Sequence, residues 1–489
     1  MAHVGGRTEI VKIDKRFAIM STSDYGRKGS IKVWKTMNIA IAGTGYVGLV
    51  TAACLADKGH SVTCVDVNAE KIRLLNDGAI PIYEPGLEPL IERNRARLRF
   101  ATDDKEAYRE AEVIMIAVGT PPLPDGSVRL NDVWEVLRRI ALTAERDCLV
   151  AIKSTVPVGT GDEAARFLAE HARHRVRFDV VSNPEFLSQG TAVRDTLQAP
   201  RIVLGVDSDR AERAMKELYA PFALPYVVTD RKSAEMIKYA ANVFLALKIS
   251  YINEIANVCE LTGADIEAVA EGIGMDPRIG RRFLRAGVGY GGSCLPKDAN
   301  ALYALAASYG YSLKTVWAAI DVNEKQKWKL IDKARSYIGD FRNQTVAVLG
   351  AAFKPGTDDV RESPALANIE WLIAEGANVR VWDPAALGHV ARRFGDAVVC
   401  CQTIEDAIRN ADVCLIFTEW PAVLQFDLGR YKALMNTPLV VDGRNCYDVK
   451  QAAAAGLIYE SIGRPLAGGA LGVSLHAPVT TQGETEGGR

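Results

Sequence analysis

The sequence NIAIAGTGYVG, residues 38–48, decides the fold. It opens with a short, largely apolar run and continues into three glycines spaced as G-x-G-x-x-G. Residues 49–58 then have helical character, and residues 61–67 form a second strand-like run. This order of strand, glycine turn, helix and strand predicts a βαβ unit.

The three glycines predict a dinucleotide site. Gly43 would make the tight turn, Gly45 would let the backbone approach a pyrophosphate, and Gly48 would allow close helix packing. The helix N-terminus would offer free N–H groups and a positive dipole end to the phosphates. Asp66 closes the second strand, where an acid binds the ribose 2′-hydroxyl and repels a 2′-phosphate. An unrelated glycine turn is the alternative, but the combination favours NAD.

Composition narrows the class of protein. At 489 residues the chain exceeds what one hydrophobic core usually organises, so we expect two or three domains. Its 59 basic and 60 acidic side chains give a formal net charge of −1, which argues against nucleic acid or a membrane surface as partner. No apolar run reaches the roughly 18 residues that span a bilayer. The nine cysteines lack a CxxC pair, which predicts reduced thiols and no metal site.

The rest of the chain predicts two α/β regions around a helical centre. Residues 233–261 carry an apolar helical period without Gly or Pro, and helical patterning continues to about residue 338. We expect two Rossmann-like, doubly wound domains joined by this long helix and a helical dimerisation domain. The expected boundaries are 1–36 for a disordered extension or an over-called start, 37–232 for the NAD-binding domain, 233–340 for the helical domain, 341–463 for the second Rossmann-like domain and 464–489 for a flexible tail. The first 36 residues lack a signal-peptide core, and their acids make a transit peptide the weaker alternative, so a cytoplasmic location follows by elimination.

Residues 291–298, GGSCLPKD, carry the predicted nucleophile. Pro296 sits where the first turn of a helix would begin, which places Ser293 or Cys294 at its cap. A thiol there feels the helix dipole and can be held as the thiolate. Asp298 falls one turn further on the same face, where a carboxylate suits proton handling during thioester chemistry. A small buried hydrophobe is the usual role of a lone cysteine, and it fits the other eight cysteines better than Cys294.

Other candidates keep their alternatives open. Thr120 and Thr155 follow strand-like runs and fit either ligand contacts or helix caps. Lys238 and Asn242 share one face of the long helix, where they would stabilise an oxyanion, although a solvated face is the favoured interpretation from the residues alone. A basic run suits a diphosphate or an ordinary charged helix surface equally well; it comprises Arg278, Arg281, Arg282 and Arg285.

Together these motifs resemble the UDP-glucose 6-dehydrogenase family of nucleotide-sugar dehydrogenases, over roughly residues 37–463. The most specific stretches are PIYEPG at 81–86, KSTVP at 153–157, NPEFL at 183–187, residues 289–298 and FKPGTDD at 353–359. The resemblance implies oxidation of UDP-glucose to UDP-glucuronate with two NAD bound in turn, in a homodimer or higher oligomer.

The resemblance also implies roles for individual residues. Cys294 looks like the thiol that traps the aldehyde as a thiohemiacetal, which a second hydride transfer turns into a thioester. Lys238, Asn242 and Asp298 look like the set that binds a water and stabilises the alkoxide. Thr155 looks like a water-binding partner, and Glu185 like the acid that assists hydrolysis.

The implied binding residues extend over both ends of the chain. Arg278 would reach the substrate of a neighbouring subunit, and Lys354 and Arg444 would bind the nucleotide. The cofactor set adds Tyr46, Val47, Lys71, Thr120, Thr155 and Arg361 to the three glycines and Asp66. The substrate set adds Phe186, Leu187, Phe283 and Gly291 to Glu185, Lys238 and Asn242.

One departure and two rival functions remain. Gln189 stands where the family often has a second glutamate that orients the substrate and water network, so we predict a reduced rate or an altered sugar choice. GDP-mannose or another nucleotide-sugar is the rival substrate, because residues 295–298 also suit that branch. A two-electron hydroxyacid dehydrogenase would not need Cys294, and only Gln189 supports an inactive nucleotide-sugar-binding regulator.

Overall fold

A computed structural model describes residues 35–465. The expected extension at 1–36 and tail at 464–489 therefore lie almost wholly outside the described residues. Within the described part, two α/β lobes flank a helical centre, which confirms the predicted fold class. None of the helices in residues 35–465 is long and apolar enough to cross a membrane.

The N-terminal lobe has one eight-stranded sheet. Its strands are β1 (Asn38–Ala42), β2 (Ser61–Val65), β3 (Leu98–Ala101), β4 (Val113–Ile116), β5 (Cys148–Ile152), β6 (Phe178–Ser182), β7 (Ile202–Gly205) and β8 (Tyr226–Thr229). The spatial order is β3-β2-β1-β4-β5-β6-β7-β8. The first six of these positions are parallel and follow the order of a doubly wound dinucleotide-binding sheet. β7 is antiparallel to β6, and β8 is parallel to β7.

Helices cover both faces of this sheet. They are α1 (Tyr46–Asp57), α2 (Ala69–Asn76), α3 (Leu87–Arg93), α4 (Lys105–Glu110), α5 (Asn131–Thr143), α6 (Thr160–His171), α7 (Ala192–Leu197) and α8 (Asp209–Tyr219), with single 3-10 turns at Arg95–Arg97 and Ala220–Phe222. Along β1, Ile39 and Ile41 enter one buried cluster, and Ala40 and Ala42 enter another on the opposite face. Burial on both faces explains why this strand reads as a continuous apolar run.

The centre is helical and begins with a helix that contacts both lobes. It contains α9 (Arg231–Thr262), α10 (Ile266–Gly274), α11 (Leu295–Ser308), α12 (Lys314–Gln326) and α13 (Lys329–Ile338). The predicted helix at 233–261 is confirmed as α9, which Asp230 caps by accepting the Ser233 N–H. Near its start Ala234 packs against Gly205 of β7, and near its end Ile252 and Ala256 join the C-terminal core. The middle of α9 therefore lies between the lobes.

The C-terminal lobe repeats the doubly wound plan. Its strands are β9 (Thr345–Leu349), β10 (Asn378–Trp382), β11 (Val398–Cys401), β12 (Val413–Ile416), β13 (Leu439–Asp442) and β14 (Ile458–Ser461), in the parallel order β11-β10-β9-β12-β13-β14. Its helices are α14 (Pro364–Ala374), α15 (Leu387–Phe394), α16 (Ile404–Ile408), α17 (Pro421–Leu424), α18 (Leu428–Leu434) and α19 (Val449–Ala454), with a 3-10 turn at Gly395–Ala397. The carboxyl ends of β9 and β12 mark its topological switch point, where ligands of such sheets bind.

Candidate active site

The glycine turn between β1 and α1 is tightly packed at two of its three glycines. Gly43 has a φ of 100°, and a Cβ there would lie 2.7 Å from the carbonyl oxygen of Ala117. A Cβ on Gly48 would lie 1.9 Å from the carbonyl oxygen of Gly43. A Cβ on Gly45 would meet no atom within 4 Å, so the N-terminus of α1 is open on that side. This geometry fits a pyrophosphate at the free N–H groups of α1.

Asp66 follows β2 and faces the same turn. Its Oδ2 accepts the backbone N–H and the hydroxyl of Thr44 at 2.8 and 2.7 Å, and its Oδ1 accepts the Asn68 N–H at 2.9 Å. Burial raises the pKa of this carboxyl, but these hydrogen bonds and the charge of Lys71 outweigh burial and leave the pKa below its usual value. Asp66 is therefore an anion beside the glycine turn, with Lys71 in the first turn of α2.

Thr120 and Thr155 lie together at the carboxyl edge of the sheet. The Thr120 hydroxyl donates to the carbonyl oxygen of Thr155 at 2.9 Å. Neither residue caps a helix, because α5 and α6 have other residues at their caps, so the capping interpretation is wrong. Thr155 also lines a small cavity with Pro184 and Lys238.

A buried ion pair joins α9 to the loop after β6. Lys238 Nζ lies 3.0 Å from Glu185 Oε1, and the two side chains are 3% and 8% exposed. Burial lowers the pKa of Lys238, but Glu185 and other nearby acids outweigh it, and the pKa is raised. Burial raises the pKa of Glu185, but Lys238 and the Leu187 N–H at 2.6 Å hold it below its usual value. Both groups are charged, and the interpretation of Lys238 on a solvated helix face is wrong.

Asn242, one turn along α9, fixes a second acid. Its Nδ2 donates to Asp298 Oδ2 at 2.6 Å. Lys297 Nζ donates to the other oxygen, Oδ1, at 2.5 Å. Asp298 lies in the first turn of α11 and is buried. Both carboxylate oxygens are therefore oriented by the protein.

Cys294 is the N-cap residue of α11, as predicted from Pro296. All nine cysteines lie in the described residues as free thiols, and Cys294 is the exposed one. Desolvation by surrounding protein raises the pKa of its thiol; Glu185 and Asp298 raise it further, and Lys238 lowers it without reversing the shift. The expectation of a thiolate held by the helix end is therefore not supported. The thiol is the resting form, and its attack requires a proton acceptor.

The glycines before Cys294 pack against the C-terminal lobe. A Cβ on Gly291 would lie 2.3 Å from the carbonyl oxygen of Glu362. The Gly292 N–H donates to the carbonyl oxygen of Arg361 at 2.9 Å. The Arg361 guanidinium is held by Asp359, with its Nη2 at 2.5 Å from Oδ2. Arg361 therefore borders the thiol from the C-terminal lobe, and its contact with a cofactor stays a prediction.

The loop after β6 also reaches the C-terminal lobe. Lys354 Nζ donates to the Ser188 hydroxyl at 2.7 Å. Gln189 Nε2 donates to Asp359 Oδ2 at 3.0 Å, and its Oε1 accepts the Thr357 hydroxyl at 3.2 Å. Gln189, the residue that departs from the family pattern, thus forms hydrogen bonds with two residues of the other lobe. Its effect on rate or sugar choice stays a prediction.

Phe186 and Leu187 lie on the N-terminal side of this loop. The Phe186 ring stacks on the guanidinium of Arg201 at 3.6 Å from the ring centroid, and Lys238 Nζ lies 5.4 Å from the same centroid. Leu187 packs against the core of the N-terminal lobe. These contacts fix the backbone that carries Glu185.

Arg278 and Phe283 make no contact with this cluster within residues 35–465. Arg278 pairs with Asp276 at 2.6 Å and is 88% exposed. Residues 275–294 contain no helix, so the interpretation of the basic run as a charged helix surface is wrong. Phe283 is exposed, with a φ of 64°.

Arg444 links the glycine stretch to the C-terminal sheet. Its guanidinium donates to three backbone carbonyl oxygens, those of Phe417 at 2.7 Å and of Gly289 and Phe353 at 3.3 Å. These hydrogen bonds fix Arg444 at the topological switch point of the C-terminal sheet. Nucleotide binding by Arg444 and Lys354 stays a prediction.

The structure adds two buried residues to which the sequence assigns no role. Lys153, after β5, has its Nζ 3.3 Å from the carbonyl oxygen and Oδ1 of Asn183, and burial lowers its pKa to about 8 against the opposing charge of Glu185. The KSTVP motif pointed to this residue. Glu235 on α9 accepts the N–H groups of Gly159 and Gly161, and no sequence signal marked it.

The N-terminal lobe is doubly wound and has an acid, Asp66, at its glycine turn. The thiol of Cys294 lies within the electrostatic reach of two carboxylates, Glu185 and Asp298. These features define the class of NAD-binding dehydrogenases. The chain matches three family profiles in order. Residues 37–223 match the NAD binding domain of the UDP-glucose/GDP-mannose dehydrogenase family, residues 232–325 its central domain and residues 347–449 its UDP binding domain. The chain belongs to this family, and NAD is its cofactor.

Individual relatives agree with this assignment. The UDP-glucose 6-dehydrogenase YwqF of Bacillus subtilis is 47% identical over 430 residues, which cover 88% of this chain and 98% of the relative. A UDP-glucose 6-dehydrogenase of Pseudomonas aeruginosa is 44% identical over 446 residues, with 88% and 98% covered. A solved UDP-glucose dehydrogenase from Pyrobaculum islandicum has a TM-score of 0.82 and 38% identity, with 88% and 98% covered. The family resemblance is confirmed, and the protein is an oxidoreductase.

Proposed function

We propose that the protein oxidises UDP-glucose to UDP-glucuronate in two NAD-dependent steps, with Cys294 as the covalent nucleophile. The observation that carries this proposal is the setting of the thiol. Cys294 caps α11 within the electrostatic reach of the Glu185–Lys238 pair and of Asp298. Two relatives at 44% and 47% identity bear the name UDP-glucose 6-dehydrogenase, which supports the choice of sugar.

The atoms and electrons of this reaction balance. One UDP-glucose, two NAD⁺ and one water give one UDP-glucuronate, two NADH and three protons. Bound NAD would lie at the glycine turn beside Asp66 and accept a hydride from the C6 carbon of the sugar. The protein must therefore remove the C6 hydroxyl proton, hold the aldehyde and admit one water.

Lys238, Asn242 and Asp298 would serve the first oxidation. As the C6 hydroxyl loses its proton to a water held by this set, negative charge develops on the oxygen. The Lys238 ammonium would stabilise that charge, because it is buried and held in place by Glu185. Asp298 would orient the Asn242 amide and help to pass the proton outward.

The Cys294 sulfur would then add to the aldehyde carbon and form a thiohemiacetal. Because the pKa of the thiol is raised, its proton must leave as the C–S bond forms, while the former aldehyde oxygen takes up a proton. Transfer of a hydride from C6 to the second NAD⁺, with loss of the hydroxyl proton to water, would then leave a thioester. Water then adds to the thioester carbon, the C–S bond breaks and the sulfur regains a proton. Glu185, whose pKa lies below its usual value, would accept the proton of that water, with Thr155 as a second water contact.

We also propose that the domain boundaries lie near residues 232 and 340, and that two copies of the chain form a homodimer through α9. Phe244, Tyr251 and Val258 lie seven residues apart on one face of α9 and are 62%, 54% and 49% exposed. Such an apolar stripe is costly in water and fits a second copy of the same helix. The exposed Arg278 side chain is free of the thiol cluster of its own subunit, which supports its predicted reach to a neighbour's substrate.

The nine free thiols support a reducing, cytoplasmic setting.

The first test is the number of NADH formed per sugar consumed. Purified protein with NAD and UDP-glucose should give two NADH per sugar. Two per GDP-mannose instead would keep the mechanism and change the substrate. One per sugar would exclude the thioester step, and none with either sugar would leave a nucleotide-sugar-binding regulator.

The second test replaces the nucleophile. Cys294→Ser should lose four-electron turnover, because serine does not form the thioester. Cys400→Ser makes the same change at a partly exposed cysteine on the edge strand β11 and should retain full activity. Equal activity in both variants would remove Cys294 from the mechanism.

A further inference from the structure

The PIYEPG motif at residues 81–86 has no part in the chemistry above. Its acid, Glu84, is nevertheless 7% exposed and bonded on both oxygens. The Tyr46 hydroxyl donates to Oε2 at 2.5 Å, and the Gly190 N–H donates to the same oxygen at 2.6 Å. The Ala192 N–H donates to Oε1 at 2.7 Å. One carboxylate therefore holds two distant segments of the chain.

The first segment is the cofactor turn. Tyr46 lies inside the G-x-G-x-x-G motif and is the first residue of α1. Its hydroxyl oxygen also lies 2.6 Å from the carbonyl oxygen of Tyr83, which competes with Glu84 for the single hydroxyl proton. The N-terminus of α1, where a pyrophosphate would bind, is thus tied to Glu84.

The second segment is the substrate loop, residues 185–190. Gly190 has a φ of 83°, and a Cβ there would lie 2.8 Å from the carbonyl oxygen of Gly356 in the C-terminal lobe. Its neighbour Gln189 donates to Asp359 in the same lobe. The loop that begins with Glu185 therefore ends in contact with the nucleotide-sugar lobe, and Glu84 holds that end.

We propose that Glu84 is a positioning residue that couples occupancy of the cofactor turn to closure of the substrate loop on the C-terminal lobe. The inference rests on the proposed function, because it takes NAD and a UDP-sugar as the two ligands. A cofactor that orders Tyr46 also orders Glu84, and Glu84 then presents a fixed acceptor to the Gly190 and Ala192 N–H groups. The coupling is reciprocal by thermodynamic necessity, so each ligand should tighten the other by the same factor.

The experiment measures that factor by calorimetry. NAD binding is titrated with and without saturating UDP, and UDP binding with and without NAD. We expect a wild-type coupling factor of about ten, within the usual range of allosteric coupling. Glu84→Gln should reduce it toward one, since an amide nitrogen at Glu84 would face a backbone N–H. Tyr46→Phe should do the same while leaving the Gly190 and Ala192 bonds intact.

Glu88→Gln is the matched control, because Glu88 is an exposed acid in the first turn of α3 and should keep the wild-type factor. Glu84→Asp should restore part of the coupling. In kinetics, Glu84→Gln should raise the KM for NAD by a larger factor than it lowers kcat. A wild-type factor of one, or wild-type coupling in both Glu84→Gln and Tyr46→Phe, would overturn the inference.

A purely structural role is distinguishable as well. It would lower the melting temperature and weaken both ligands alike, with the coupling factor unchanged, and that outcome also overturns the inference. Failure of the proposed function has a different signature. Wild-type protein that couples UDP and NAD but forms no NADH from UDP-glucose would refute the function and leave the role of Glu84 standing.

Discussion

Glu185→Gln changes the charge balance of the buried cluster at the centre of the site. In the wild type, the Glu185 carboxylate acts on both Lys238 and Lys153, and all three side chains are less than a tenth exposed. Glutamine has the same shape, but it leaves two ammonium groups without that carboxylate. With its oxygen toward Lys238, its amide nitrogen faces the Leu187 N–H, which donates to Glu185 Oε2 at 2.6 Å in the wild type. The variant therefore removes the negative charge and the acceptor of this N–H together.

The structure sets the size of the effect. At the 3.0 Å separation of Lys238 Nζ and Glu185 Oε1, an effective dielectric constant of about 20 gives an attraction of about 5 kcal/mol. Alternatively, one lysine of the variant can release its proton and become neutral, which costs roughly 5 kcal/mol at pH 7 for an ordinary lysine. The hydrogen bond retained with Lys238 offsets about 1 kcal/mol, and the Leu187 N–H that loses its acceptor costs at least about 1 kcal/mol. We expect a loss of about 4–5 kcal/mol in the free energy of unfolding, as for other broken buried pairs.

The pH dependence has a definite sign. In the variant, the folded-state pKa of Lys238 should fall below its unfolded value. Between those two values the unfolded chain binds more protons, so the free energy of unfolding rises with pH. The deficit of the variant should shrink from pH 7 toward pH 10. At acid pH, below the usual pKa of a glutamate, the wild type loses stability as Glu185 becomes protonated. The variant has no carboxyl at this position, so its stability does not fall for this reason.

Urea unfolding at pH 7 and at pH 9.5, followed by tryptophan fluorescence, checks both statements. Glu163→Gln is the control, since Glu163 is an exposed acid on α6 and should cost less than about 0.5 kcal/mol. Lys238→Met should cost less than Glu185→Gln, because Lys153 still faces Glu185. A loss below about 1 kcal/mol for Glu185→Gln, or a deficit that grows with pH, would refute the reasoning.

Three further changes test separate parts of the site. Asp66→Asn removes the charge beside the glycine turn and should raise kcat/KM for NADP relative to NAD by at least about tenfold, as measured by initial rates with each cofactor; an unchanged ratio would count against Asp66. Tyr251→Glu places a charge in the α9 stripe and should convert the proposed dimer to monomer in analytical ultracentrifugation, whereas Val399→Glu, at an exposed apolar residue of β11, should not. Iodoacetamide alkylation of Cys294 should show a midpoint above the ordinary thiol pKa of 9.0, and Lys238→Met should move it higher because the cation that lowers it is gone; a midpoint near neutral pH would restore the thiolate hypothesis.

The sequence predicts well those features that neighbouring residues determine. The glycine turn and its strands follow from residues 38–67, where apolar period and turn residues change within a few positions. The helix at 233–261 follows from its apolar period and the absence of Gly and Pro. Pro296 narrows the cap of the next helix to Ser293 or Cys294, and the structure has Cys294 there. Strands β3, β7 and β8 were not predicted from the sequence.

Reasoning from the residues alone mispredicted or missed features set by distant residues, although the family resemblance grouped Lys238, Asn242 and Asp298. Lys238 looks like a surface lysine on α9 until Glu185, 53 residues away, is brought beside it. Asn242 finds its acid 56 residues away. The thiolate expectation weighed the helix end but not the desolvation of the thiol, which is the main reason that its pKa is raised, nor the charge of Glu185, which also opposes ionisation. In these three cases the missing information is the same, namely the burial and the charged neighbours that tertiary packing supplies.

The two lobes also explain why only one of them is a dinucleotide site. The six strands of the C-terminal sheet have the same order as the first six positions of the N-terminal sheet. In both sheets an acid follows the second strand, Asp66 after β2 and Asp383 after β10. Asp383 is buried, with five hydrogen bonds from four backbone N–H groups and the indole of Trp420. Asp66 accepts three and stays partly exposed. A carboxylate saturated by its own protein has no capacity for a ribose hydroxyl, which agrees with the match of the N-terminal lobe to an NAD binding domain and of the C-terminal lobe to a UDP binding domain.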